Sequence, residues 1–138
     1  MTNLDPEQTY AFLKQNPQAL WIDCRSEHEY FLVGHPIVER EGADPKRPEQ
    51  VVWVDEITAD LNPHFVAQVR EHASGPDQPV VVTCRSGRRS VQAAEALEAD
   101  GFTHVINVLE GFEGPLDDNY RRGTVAGWRY RGLPWEQL

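Results

Sequence analysis

The chain has 138 residues, a formal net charge of −9, 40% hydrophobic and 25% charged residues, and a pI near 4.9. That length fits one domain over residues 1–138 and can bury a core without disulfide or metal staples. The acidic balance argues against nucleic-acid and membrane partners; no apolar run approaches the roughly 20 residues that span a bilayer, and Met1 to Pro6 lacks the layout of a secretory signal, so a cytoplasmic location is expected.

Asp5-Pro6-Glu7-Gln8 opens a helix: Asp5 can cap, Pro6 suits the first helical position and Gln8 completes a capping box. Tyr10, Phe12 and Leu13 give it an apolar face, and Asn16-Pro17 stops it. Ala19 to Ile22 reads as a buried strand, and Ser26 to Tyr30 as a short helix capped by Ser26 and ending near Gly34. Residues 39–50 are charged and carry Pro45 and Pro48, which predicts a surface loop. Val51 to Val54 reads as a second apolar strand, and Asn62-Pro63 starts a helix that breaks at Ser74-Gly75-Pro76.

Pro79 to Thr83 is the strongest strand signal, since β-branched valines occupy positions 80 to 82 in succession. Ser90 to Asp100 is rich in Ala, Leu and Glu and reads as a helix, with Gly101 where a C-terminal cap belongs. His104 to Val108 is a further strand. From Gly111 the chain is less regular, with a helix expected around Ala126 to Arg131. Strands that alternate with helices and run continuously apolar predict an α/β fold, a parallel sheet flanked by helices on both faces. Trp21, Trp53, Trp128 and Trp135 are expected to pack between sheet and helices.

The two cysteines, Cys24 and Cys84, are too few for a disulfide scaffold or a structural zinc site, and the scattered histidines add no metal-ligand spacing. No metal or organic cofactor is invoked. Each cysteine is therefore judged on its reactivity. Cys84-Arg85-Ser86-Gly87-Arg88-Arg89 lies between the best strand and a good helix. In an open parallel sheet the carboxyl ends of the strands line the ligand crevice. A loop closing there onto a helix N-terminus turns backbone N–H groups into a common space and favours an anion. A thiol at that point should ionise below the free value of about 8.5. Gly87 permits a tight turn, and Arg85, Arg88 and Arg89 add charged donors.

These residues resemble the active-site loop of the rhodanese family, the persulfide-forming sulfurtransferases. Asp23-Cys24-Arg25 with Glu29-Tyr30 and Gly34-His35 is similar to that family's first signature. Gly101-Phe102, Glu110-Gly111-Phe112, Gly127-Trp128 and Gly132 to Trp135 extend the likeness over about residues 4–135. After Gly34-His35 the sequence departs from the pattern: Pro36-Ile37-Val38 runs into the charged insertion, which could reach the mouth of the site. Related phosphatases place an arginine six positions after the cysteine; here that position is Ser90, and Arg89 comes one residue sooner. The loop thus resembles the shorter, sulfur-handling type.

The resemblance implies that Cys84 takes the outer sulfur of a donor such as thiosulfate and passes it to cyanide or a thiol. The amides from Arg85 to Ser90 would hold the persulfide, and Arg85, Arg88 and Arg89 would orient the donor. Ser86 and Ser90 would offer hydroxyls, Ser90 also serving as a candidate N-cap. Asp23 and Arg25 are expected to brace the loop by a charge pair and hydrogen bonds. Cys24 is either a packed, inert thiol or a resolving one. Arg121 and Arg122 either steer anions or pair with Asp117 and Asp118. The competing functions are a non-catalytic regulatory or binding module and a relay delivering sulfur to a protein acceptor.

Overall fold

Val80, Val81 and Val82 lie at the middle of a five-stranded sheet in the computed structural model, which describes residues 1–55 and 57–138. In chain order the elements are β1 (Thr2–Leu4), α1 (Pro6–Gln15), β2 (Leu20–Asp23), a π-helical turn (Glu29–Val33), β3 (His35–Pro36), β4 (Glu49–Gln50), α2 (Phe65–His72), β5 (Val80–Thr83), α3 (Arg89–Ala99), β6 (Val105–Val108) and β7 (Trp135–Glu136). The main sheet has the order β1-β6-β5-β2-β4, with every pairing parallel. A small antiparallel ribbon joins β3 to β7.

Alternation along the central strands divides the core into two layers. Leu20 and Ile22 of β2 and Val80 and Val82 of β5 face α2 and α3, packing with Phe65, Val69, Ala93, Ala94 and Leu97. Trp21, Val81, Ile106 and Val108 face the other way, onto Leu13 of α1 and Trp128 of the C-terminal segment. Helices therefore cover both faces, as the continuous apolar strands predict. Trp21 and Trp128 lie in that second layer, whereas Trp53 is half-buried and Trp135 is 40% exposed. The capping box of α1 forms in full: Asp5 Oδ1 accepts from the Gln8 amide at 2.8 Å, and Gln8 Oε1 from the Asp5 amide at 3.0 Å.

Several expectations are corrected. Residues 2–4 form a strand on β6, where neighbouring strand edges supply pairing that so short a segment cannot signal alone. In place of the strand expected at Val51 to Val54, β4 is Glu49–Gln50; the Val51 and Trp53 amides still donate to the Asp23 and Cys24 carbonyls at 3.0 and 3.1 Å, while Asn62 Nδ2 donates to the Val52 carbonyl at 2.9 Å. The insertion therefore ends in the sheet edge, and it bonds back through Lys46 Nζ to the Pro17 and Ala19 carbonyls. Ala126 to Arg131 makes turns, because Gly127 sits at φ +113° and gives its amide to Glu110 Oε1 at 2.9 Å. Ser26 and Glu29 do cap each other reciprocally, and the turn then widens until the Gly34 amide reaches the Glu29 carbonyl at 3.1 Å.

Candidate active site

Cys84 follows the last residue of β5, and its loop closes directly onto α3. The first carbonyls of the loop are held from one side: Cys84 O accepts from the Phe112 amide at 2.8 Å, and Arg85 O from those of Glu113 and Gly114 at 2.9 and 3.1 Å. With those carbonyls fixed outward, the following amides turn toward the sulfur. The Gly87 N–H lies 3.1 Å from Cys84 Sγ, and the Ser90 N–H also donates to it. Gly87 sits at φ +95°, a conformation that a side chain would strain. Gly111 is required for a different reason: a Cβ there would lie 2.5 Å from the Arg85 carbonyl carbon and oxygen.

The sulfur is 1% exposed, yet it is favoured as a thiolate. A hydrogen bond from the Cys24 thiol is the largest cause, with bonds from the Ser90 hydroxyl and the Ser90 and Gly87 amides adding to it; together they outweigh desolvation and bring the Cys84 pKa down to about 5. Cys24 itself shifts the opposite way, well above an ordinary thiol, chiefly through burial. Beneath the loop, Ser90 Oγ lies 3.2 Å from Cys84 Sγ and donates to Asn107 Oδ1 of β6, whose amide nitrogen donates to Asn3 Oδ1 of β1 at 3.0 Å. When Cys84 ionises, the single Ser90 hydroxyl proton can turn from Asn107 to the sulfur.

Ser90 is buried in the second helical position, not at the N-cap, which is Arg88. Arg85 and Arg88 are exposed and Ser86 is half-buried. Arg89 is committed to Glu29: both terminal guanidinium nitrogens donate to its carboxylate at 2.8 Å, clamping α3 to the π-helical turn. Asp23 and Arg25 form a wholly buried bidentate pair, but they brace a neighbouring segment. Arg25 Nη2 donates to the Gly34 carbonyl at 2.7 Å, the guanidinium lies 4.8 Å from the Phe112 ring centre, and its charge also acts on Glu29, so it supports the loop through the neighbours of residues 85 and 89. Above the loop is a cleft of about 560 Å³ lined in part by Glu29, Asp55, Arg85, Arg89, Glu113 and Arg122. Arg122 donates to the Gly114 carbonyl at 2.9 Å, while Asp117 accepts from the Asn119 and Arg121 amides and the Thr124 hydroxyl. None of residues 39–50 lines the cleft.

Glu29, Asn107 and Gly111 are the site residues that local reading did not assign, whereas Arg122, one of the two arginines weighed for anion steering, does line the cleft. Glu29 stands in a quoted motif, and the glutamate–glycine pair before Phe112 was a further cue; Asn107 in a valine-rich strand was the one polar break in it. Among the described residues, no group of three His, Cys, Asp or Glu side chains could hold a metal ion.

The rhodanese-like domain model matches residues 5–116. The chain belongs to the rhodanese family. The crystal structure of Rv0390 from Mycobacterium tuberculosis superposes on this rhodanese with a TM-score of 0.85, at 37% identity over 100% of this chain and 98% of that one. Protein RP600 of Rickettsia prowazekii is 26% identical over 97% of the chain and 96% of its own length. Thiosulfate sulfurtransferase 16, chloroplastic, of Arabidopsis thaliana is 33% identical over 53% of the chain and 49% of its own length. No described helix is long and apolar enough to cross a membrane.

Proposed function

We propose that this rhodanese is a sulfurtransferase that carries sulfane sulfur as a persulfide on Cys84. The observation that carries the reading is a nearly buried Cys84 whose Sγ lies 3.1 Å from the Gly87 N–H and 3.2 Å from Ser90 Oγ, contacts that favour the thiolate. Such a thiolate attacks the outer sulfur of thiosulfate; the new S–S bond forms on Cys84 and sulfite leaves with the electrons of the broken bond. The same amides then hold the negative terminal sulfur. Cyanide or a thiol, small or borne by a protein, removes it in a second step, which predicts ping-pong kinetics. Arg85 and Arg122, at the cleft mouth, receive the oxyanion end of the donor; Arg89, spent on Glu29, holds the loop in shape, and Arg88 stays outside. A cytoplasmic setting suits two free thiols.

Thiocyanate release from thiosulfate and cyanide tests the reading, alongside intact-mass measurement of the donor-treated protein. Cys84→Ser should abolish both turnover and the gain of one sulfur atom. A wild-type protein that gains no sulfur from thiosulfate or polysulfide would refute the proposal.

A further inference from the structure

Cys24 is a buried thiol that the two-step transfer uses as a donor to Cys84 but not as a nucleophile. The parallel register pairs Ile22 with Val82 and Asp23 with Thr83, so the next pair is Cys24 with Cys84. The Cys24 amide continues that ladder, donating to the Thr83 carbonyl at 2.9 Å. Alternation puts both side chains on one face, in the layer that holds Ile22 and Val82. The neighbouring Cys24 thiol is also the largest influence that lowers the Cys84 pKa. Adjacent strands run about 4.8 Å apart, inside the Cα window of about 4.4–6.8 Å that a disulfide spans. The two are 0% and 1% exposed, so whatever happens between them needs no solvent access.

We propose that Cys24 discharges the loaded site, converting the Cys84 persulfide into a Cys24–Cys84 disulfide and hydrogen sulfide. This inference rests on the sulfurtransferase reading. Cys24 Sγ attacks Cys84 Sγ; the inter-cysteine bond forms, the bond to the outer sulfur breaks, and its electron pair leaves on that sulfur as HS⁻ with the Cys24 proton. The sulfane sulfur is reduced to sulfide and the two thiols are oxidised, so no outside oxidant is consumed. Burial keeps Cys24 protonated and slow. An acceptor thiolate in the cleft therefore wins when present, and discharge prevails when acceptors are scarce. A dithiol such as dithiothreitol resets the pair.

The test loads the protein with thiosulfate or polysulfide, removes excess donor, and follows intact mass and free sulfide without acceptor. In the wild type the added sulfur should disappear with the loss of two hydrogens, one sulfide per chain should be released, and non-reducing digestion should recover Cys24 joined to Cys84. Cys24→Ser keeps a hydrogen-bond donor but cannot close the bridge; its loading is confirmed by mass first, and its sulfide release should be slower by more than about tenfold. Cys24→Ala serves as the second variant. A wild-type persulfide that persists, or sulfide released equally by both variants, overturns discharge while leaving sulfur transfer intact. Failure to load with either donor sinks the sulfurtransferase reading and this inference with it.

Discussion

At the level of single side chains, the site depends on a proton that Cys24 keeps and Cys84 gives up. The Cys24 thiol is the leading donor to the Cys84 sulfur, whose pKa is brought down to about 5. Removing it in Cys24→Ala should raise the Cys84 value by about one unit or more, read as a shifted titration of thiolate ultraviolet absorbance, and should slow sulfur loading on the acid side of neutrality. The linkage has a definite sign. Because folding lowers this pKa, the folded state binds fewer protons than the unfolded chain. The resulting stability is fully present above the free thiol value and is lost as pH falls through about 5. Denaturant titrations of wild type and Cys84→Ala should therefore converge at acid pH, with the variant losing that dependence. Gly111 is the other exacting position: Gly111→Ala puts a methyl 2.5 Å from the Arg85 backbone at φ +67° and should cost about 3 kcal/mol or more, checked by urea midpoint.

At the level of elements, the loop is held between neighbours that come from far apart in sequence. The Glu29–Arg89 bond joins the π-helical turn to the first residue of α3, and residues 112–114 fix the opposite side. Glu29→Gln keeps the shape but loses a charged, bidentate acceptor. It should cost about 1–3 kcal/mol in urea unfolding and slow the loading of Cys84, because Arg89 is freed and the loop loosens. This division explains what sequence reading could reach. The capping box of α1, the β5 strand and the loop before α3 are local signals written in adjacent residues. The partner of Arg89, the strand at residues 2–4 and the turns at Ala126 to Arg131 are set by tertiary bonds such as Gly127 to Glu110. The Asp23–Arg25 pair was legible as a charge pair beside the first core strand, but its further contacts, with Gly34 and Phe112, were not.

At the level of the whole molecule, a chain of net charge −9 brings Arg85, Arg89 and Arg122 together with Glu29, Asp55 and Glu113 around the cleft above the cysteine loop, where Glu29 neutralises Arg89. Arg122 lies close enough to Arg85 for mutual repulsion to help lower its pKa, after desolvation by burial. Like charges crowded at a cleft are relieved by an anion between them, and low-dielectric walls focus their field. The surrounding acidic surface works against the approach of any anion, so the mouth has to recover locally what the net charge repels. Arg122→Ala should therefore raise KM for thiosulfate by about tenfold with little change in kcat, since it removes an attraction made before and during transfer alike. The loss should shrink as ionic strength rises, because salt screens the wild-type mouth over a Debye length of about 10 Å at 0.1 M. A KM change that ionic strength leaves untouched would instead place Arg122 in the packing of the Gly114 turn, through its bond to that carbonyl.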